Sequence, residues 1–277
     1  MLSWALRLVR APAPAWLSAP PLSASAARCA LISAGTFVLC AAVAALHPRS
    51  AGLRTRSYTV STLHSIVVVL LALAVYDEAA ATGSLWDASG AVWSRASPGV
   101  EAPIAVTLGY ILFDVALALV APRGYELLTP AMRLHHAVVC ASLSAALACN
   151  VGAVYVALFL IHEASTVPLN LHVEFGAAWK ARRPRCRTAN GACLWLTYAV
   201  ARVGLTAVLW ASIAVTSAPP VRGAVWAMHL LVLATLSLLN LYWFSQITRG
   251  LLKALRGAAD EGGGAKVEAA EGRRKNE

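Results

Sequence analysis

Charge is scarce in this chain. Asp, Glu, Lys and Arg together make up 13% of its residues, and only 13 of the 277 are acidic. An ordinary soluble domain carries about 25%, so a water-exposed globule is excluded. Apolar/polar alternation is missing too, which argues against a membrane β-barrel. No C-x-x-C pair occurs among the six cysteines, so neither a zinc site nor a disulfide framework is indicated. Most of those cysteines fall in or beside apolar runs, where Cys serves as a small hydrophobe. No Gly-rich phosphate loop and no G-x-S-x-G nucleophile elbow are found. His162-Glu163 begins like H-E-x-x-H, but Thr166 stands where the second His should be. The repeated H-x-x-H-H clusters of membrane di-iron enzymes are also lacking. No metal and no cofactor are therefore expected.

What the chain has instead is apolar length: 59% of it is hydrophobic. Seven runs are long enough to span a bilayer, at 29–46, 57–76, 103–121, 135–150, 151–171, 191–216 and 224–248. Lipid leaves backbone groups no water to bond, so these spans are predicted to be helices. The fold class is all-α, a polytopic transmembrane helical bundle around a central cavity. The fourth and fifth spans meet at Asn150-Val151-Gly152, which reads as a tight hairpin. Pro168 is expected to kink the fifth span and free a carbonyl near Glu163.

The net charge of +10 invites a nucleic-acid reading. Its distribution argues against one, because the basic residues occupy the short segments between spans. If the C-terminus is cytoplasmic, the segments on that side hold 17 Lys and Arg and the opposite side holds five. The positive-inside rule then gives a lumenal N-terminus and a cytoplasmic tail. Residues 1–28 read as an Ala/Pro-rich leader, either disordered or an organelle-targeting segment. Residues 249–277 read as a basic cytoplasmic tail, disordered on composition.

Ionisable residues inside a membrane are functional candidates by default. His64, Asp114, His135, His136 and Glu163 come from four different spans. All five fall within about 12 Å of the cytoplasmic edge, at 1.5 Å per residue. Independent spans have no reason to place polar groups at one depth and on one side, so a polar pocket opening to the cytoplasm is predicted. Stripes at spacings of three and four support it: Ser57, Ser61, His64 and Ser65; Thr107, Tyr110 and Asp114; Glu163, Thr166 and Asn170; Ser237, Asn240 and Phe244. Arg202 also lies inside a span. The alternative for each stripe is hydrogen bonding between helices. The chemistry left open is acid–base or nucleophilic histidine chemistry, with Glu163 orienting a His135 or His136 ring.

Five segments carry a resemblance: "SYTVSTLHSIVVVL", "GYILFDV", "MRLHHAVVC", "LIHEASTVPLNLHVEF" and "LNLYWFSQI". In this order they resemble the TLC domain family, named for TRAM, Lag and CLN proteins. The similarity makes 57–248 a six-span TLC domain with one additional helix, 29–46, before it. The resemblance implies an endoplasmic-reticulum-type membrane protein with a lipid-accessible cavity; a plastid or other organelle is the alternative. In the family's Lag-type ceramide synthases, a fatty acyl group passes from acyl-CoA to a sphingoid amine. Their essential His pair matches His135 and His136, and their first acid matches Glu163. Their second acid matches Thr166, which cannot ionise, and a later Glu falls near Asn170. Glu163, Ser165, Thr166, Pro168 and Asn170 look closer to the TLC-domain-containing branch, which is linked to membrane lipid homeostasis. The expectation is a lipid-binding or lipid-modifying protein. His135, His136 and Glu163 are its catalytic candidates, and His64, Tyr110, Asp114, Thr166, Asn170, Arg202 and Asn240 line the lipid site. The alternatives are an acyl-CoA-dependent N-acyltransferase and a non-enzymatic scaffold.

Overall fold

A computed structural model describes residues 24–48, 52–94, 97–120, 129–149, 151–215 and 223–274. Seven helices in it are long and apolar enough to cross a membrane. They are built from α1 (Ala24–Leu46), α2 (Leu53–Ala81), α3 (Pro98–Val120), α4 (Pro130–Cys149), α5 (Ala153–Phe159), α6 (Thr166–Arg182), α7 (Pro184–Tyr198), α8 (Leu205–Val215) and α9 (Ala224–Arg274). No strand occurs among the described residues. The protein is an integral, multi-pass helical bundle.

Six spans close a ring. α2 packs on α3, α3 on α4, α4 on α9, α9 on α7, α7 on α6, and α6 returns to α2. α1 stays outside, seated mainly on α3. Its seat depends on a missing side chain. A Cβ on Gly109 would lie 2.2 Å from the Ser33 carbonyl oxygen, so only glycine allows the two backbones to meet there. Ser33 Oγ then donates to the Ala105 carbonyl at 2.8 Å. Nearer the other end of this seam, Ser25 and Arg28 both donate to the buried Glu101 carboxylate. Large apolar side chains such as Leu31, Leu39, Leu70, Leu119, Leu231 and Leu238 point outward from the bundle, as lipid contact requires.

Local chemistry moves several boundaries. α1 begins at Ala24, so Ser25 and Arg28 belong to the bundle and not to a leader; the expected leader's first 23 residues lie outside the described residues. α3 begins at Pro98, capped by Ser97 Oγ, which accepts from the Val100 N–H at 3.3 Å. α4 begins at Pro130, with Thr129 Oγ1 accepting from the Met132 N–H at 3.3 Å. His135 and His136 therefore sit in the second turn of a capped helix and do not start it. At the hairpin, Gly152 takes φ +66° and opens α5; Asn150 lies outside the described residues. The last helix runs from Ala224 to Arg274, so the expected tail, 249–277, begins within it.

Two breaks in the helices matter most. The fifth span is not one kinked helix. Between α5 and α6 it tightens into a 3-10 segment, Leu160–Ser165. Pro168 follows three residues after Ser165, where it cannot donate to the Ala164 carbonyl four residues back. The sixth span loosens instead, into a π segment, Ala199–Gly204, between α7 and α8. Such π turns are rare and often occur at functional positions. These two irregular segments pack on each other.

The link between α2 and α3 is also folded. It forms two 3-10 turns, Ser84–Trp86 and Ala91–Ser94. Asp87 accepts from both the N–H and the O–H of Ser89, which hold its carboxyl below the usual range. The second turn drives Trp93 into the bundle, where it is 1% exposed. Its ring centroid lies 4.4 Å from Tyr155 and 4.7 Å from Trp226, and its carbonyl accepts from the Gly152 N–H at 2.8 Å. Leu85 O accepts from Ser212 on α8. This link crosses the ring and caps one end of the bundle.

Candidate functional site

Two chambers occupy the middle of the ring. The larger, of about 360 Å³, lies toward the end that carries Arg54 and is lined there by Ser57, Ser61, Asp114, His136 and Asn170. The smaller, of about 90 Å³, runs toward Trp93 between apolar walls such as Val139, Val156, Leu209 and Leu236. Tyr110, Ile111, His135, Glu163 and Arg202 line both chambers and form a waist between them.

The helix breaks supply the waist's charges. Glu163 comes from the 3-10 segment and Arg202 from the π segment. Arg202 Nη2 lies 3.6 Å from Glu163 Oε1. The rest of the guanidinium is held tightly. Nε donates to the His162 carbonyl at 3.2 Å and to Ser165 Oγ at 2.8 Å. Nη1 donates to Asn240 Oδ1 at 3.3 Å, and Nη2 to Thr166 Oγ1 at 3.2 Å. Its Cζ sits 5.2 Å from the Tyr198 ring centroid. The His162 carbonyl thus accepts from Arg202 and, at 3.0 Å, from Ser165 Oγ. Glu163 Oε2 accepts from Ser65 at 3.2 Å and Thr166 at 2.9 Å. A guanidinium and a carboxylate in this setting are tolerable because each neutralises the other and their hydrogen bonds are largely satisfied.

The adjacent histidines separate in role. His136 Nδ1 donates to the Met132 carbonyl at 2.9 Å, and Nε2 meets Asp114 Oδ2 at 3.1 Å. Both nitrogens face acceptors, a pattern fully satisfied when both carry protons. The carboxylate that orients His136 is therefore Asp114 on α3. His135 makes edge contacts with His136 and with Trp243 at 5.6 and 5.5 Å. Its Nδ1 has no hydrogen-bond partner among the described residues, and its ring lines both chambers.

His64 is 6% exposed and stacks on Tyr110, centroids 4.0 Å apart. Its Nε2 lies 3.2 Å from Thr107 Oγ1, whose hydroxyl donates to the Pro103 carbonyl at 2.8 Å. Asn170 donates to Thr62 Oγ1 at 3.0 Å, tying α6 to α2 at the larger chamber. Asn240 is 3% exposed and connects Arg202, Tyr198 and His162. All ten candidate residues read from the sequence line one of the chambers, except Asn240, which stands behind Arg202.

Some participants were not among those candidates. His162 is 2% exposed, and its ring is held between Thr206 Oγ1 at 3.3 Å and Asn240 Nδ2 at 3.4 Å. Ser65, Ser165 and Tyr198 hold the charged pair, and Trp93 floors the small chamber. A usable signal existed for His162, which precedes Glu163 in an apolar span. None marked Trp93, which lies between spans in a segment notable only for its acids.

A family model described as TLC domain matches residues 54–249, which begins within α2 and leaves α1 outside. TLC domain-containing protein 4 of Xenopus tropicalis is 27% identical over 213 residues, 74% of this chain and 77% of that protein. No solved structure matches the chain.

Proposed function

The chain belongs to the TLC domain family, and from that premise we propose that it binds or modifies a membrane lipid inside the two-chamber cavity, in the service of lipid homeostasis. The observation that carries this reading is the waist. A buried ion pair and a histidine with an open ring nitrogen stand between a polar chamber and an apolar one. That sequence of environments suits an amphiphile, with its polar group near the waist and its apolar part toward Trp93. The Trp93 cap supports entry from the basic end. The excess of Lys and Arg on that side supports a cytoplasmic mouth, in an endoplasmic-reticulum-type membrane.

Mass spectrometry of lipids co-purifying with the protein tests the reading. One lipid class should be enriched over the surrounding membrane and lost in His135→Ala. His136→Ala should instead lower thermal stability, because it strands Asp114. If His135→Ala/His136→Ala protein carries the same lipids and restores lipid composition in null cells, the cavity has no such role and a scaffold remains.

A second reading is favoured by the open His135 ring beside Glu163. It is an acyl-CoA-dependent N-acyltransferase acting on a sphingoid base. The amine nitrogen attacks the thioester carbonyl, so that a C–N bond forms and the C–S bond breaks. His135 takes the amine proton and returns it to the departing CoA thiolate. Thr166 weighs against it, since its hydroxyl accepts from Arg202, gives its proton to Glu163 and supplies no second acid. Purified protein given acyl-CoA and a sphingoid base should form no N-acyl product. Product formation lost in His135→Ala would establish the second reading over the first.

A further inference from the structure

We infer that the ligand group seated at the waist is an uncharged hydroxyl, so that the cavity selects a neutral, hydroxyl-bearing lipid over an anionic or a cationic one. This rests on the reading above, that the cavity holds a lipid.

The waist's charges are already matched. Arg202 faces Glu163, and its Nε, Nη1 and Nη2 all donate to protein acceptors. An incoming phosphate or carboxylate would have to displace those acceptors. An ammonium group would meet a Glu163 carboxylate that Arg202 already balances. His136 and Asp114 form a second facing pair in the larger chamber. A further charge would leave bulk water for the bundle interior without a counter-charge of its own, which is unfavourable.

What the waist leaves open is hydrogen-bonding capacity, mostly of the accepting kind. Glu163 Oε2 takes two hydrogen bonds, while Arg202 Nη2 stands 3.6 Å from Oε1, beyond hydrogen-bond reach. The Glu163 side chain keeps 20% exposure deep within the bundle, and it lines both chambers. His64 adds a second acceptor by elimination. The Thr107 hydroxyl has one proton and gives it to the Pro103 carbonyl, so His64 Nε2 must donate to Thr107. His64 Nδ1 is then a lone pair, and it has no partner among the described residues. His135, open at Nδ1, offers one donor and one acceptor when neutral. A hydroxyl fits this set. It gives its proton to Glu163 Oε1 and accepts from His135, and it adds no net charge.

The test uses purified full-length protein and three probes with the same alkyl chain: a monoacylglycerol, a lysophosphatidic acid and a primary alkylamine. Binding is read by native mass spectrometry or displacement. The monoacylglycerol should bind at least about tenfold more tightly than either charged probe. Glu163→Gln should weaken it about tenfold, the scale of a lost hydrogen bond to a charged group. The same variant unbalances Arg202, so lysophosphatidic acid should bind it better than it binds wild type. Loss of folding would not produce that reversal, and the wild-type order stands without any variant. If either charged probe binds wild type as well as the monoacylglycerol, the hydroxyl assignment is overturned while a lipid-holding cavity survives. If none of the three binds, both fall together.

Discussion

Arg202 is a charged side chain held in the middle of a membrane span. Its position is tolerable only because Glu163, three side chains and a backbone carbonyl receive it. Removing one partner of such a pair leaves the other uncompensated, which costs about 3–5 kcal/mol. Arg202→Met should therefore lower the thermal midpoint of the purified protein sharply. Adding Glu163→Gln should recover part of that loss, because the stranded charge goes with it. Equal destabilisation by the single and the double variant would show that the two residues do not act as a pair. Sequence depth brought Glu163 near His64, Asp114 and the histidine pair, but it did not join Glu163 to Arg202. Helical spacing locates a side chain along its own span. It does not say how one span is rotated against another, and here both residues sit where the helix period itself changes. The adjacent histidines show the same limit. His135 and His136 read alike in sequence, and only the position of Asp114 on α3 makes one a strut and leaves the other open.

The helices were the most legible level. Seven apolar runs became seven spans because length and hydropathy are properties of each segment alone. The ends moved where a cap or an ion pair extended a helix past its apolar run, as Ser97 does for α3 and Glu101 does for the start of α1. What stayed hidden was the irregular backbone, since a 3-10 or π segment depends on what the facing helix offers. The α1–α3 seam gives a direct test at this scale. Gly109 admits the Ser33 carbonyl, and Cys29 lies at 4% exposure beside Glu101 on the same seam. In a background that keeps only Cys29, Gly109→Leu should force the two helices apart. Maleimide should then label a thiol that is protected without the substitution. Continued protection of Cys29 would mean that α1 is held elsewhere.

At the scale of the whole molecule, the cap and the charge distribution together give the cavity a direction. Trp93 and the folded link behind it close one end, and Gly152 and His229 lock that closure through the Trp93 and Val151 carbonyls. The larger chamber lies at the opposite end, where Arg54 and the start of α4 meet. That end also carries the basic α6–α7 turn with Cys186, whose side chain is exposed. If the 17 basic residues on this side do set topology, the turn and the mouth both face the cytoplasm. In sealed microsomes, a membrane-impermeant maleimide should then label a variant that retains only Cys186 without permeabilisation. Labelling only after permeabilisation would put the mouth on the lumenal side. The outcome bears on chemistry as well as on orientation. Acyl-CoA is a cytoplasmic donor, so a lumenal mouth would remove the N-acyltransferase reading while leaving a lipid-holding cavity intact. A cytoplasmic mouth keeps both, and formation of an N-acyl product by the purified protein then decides between them.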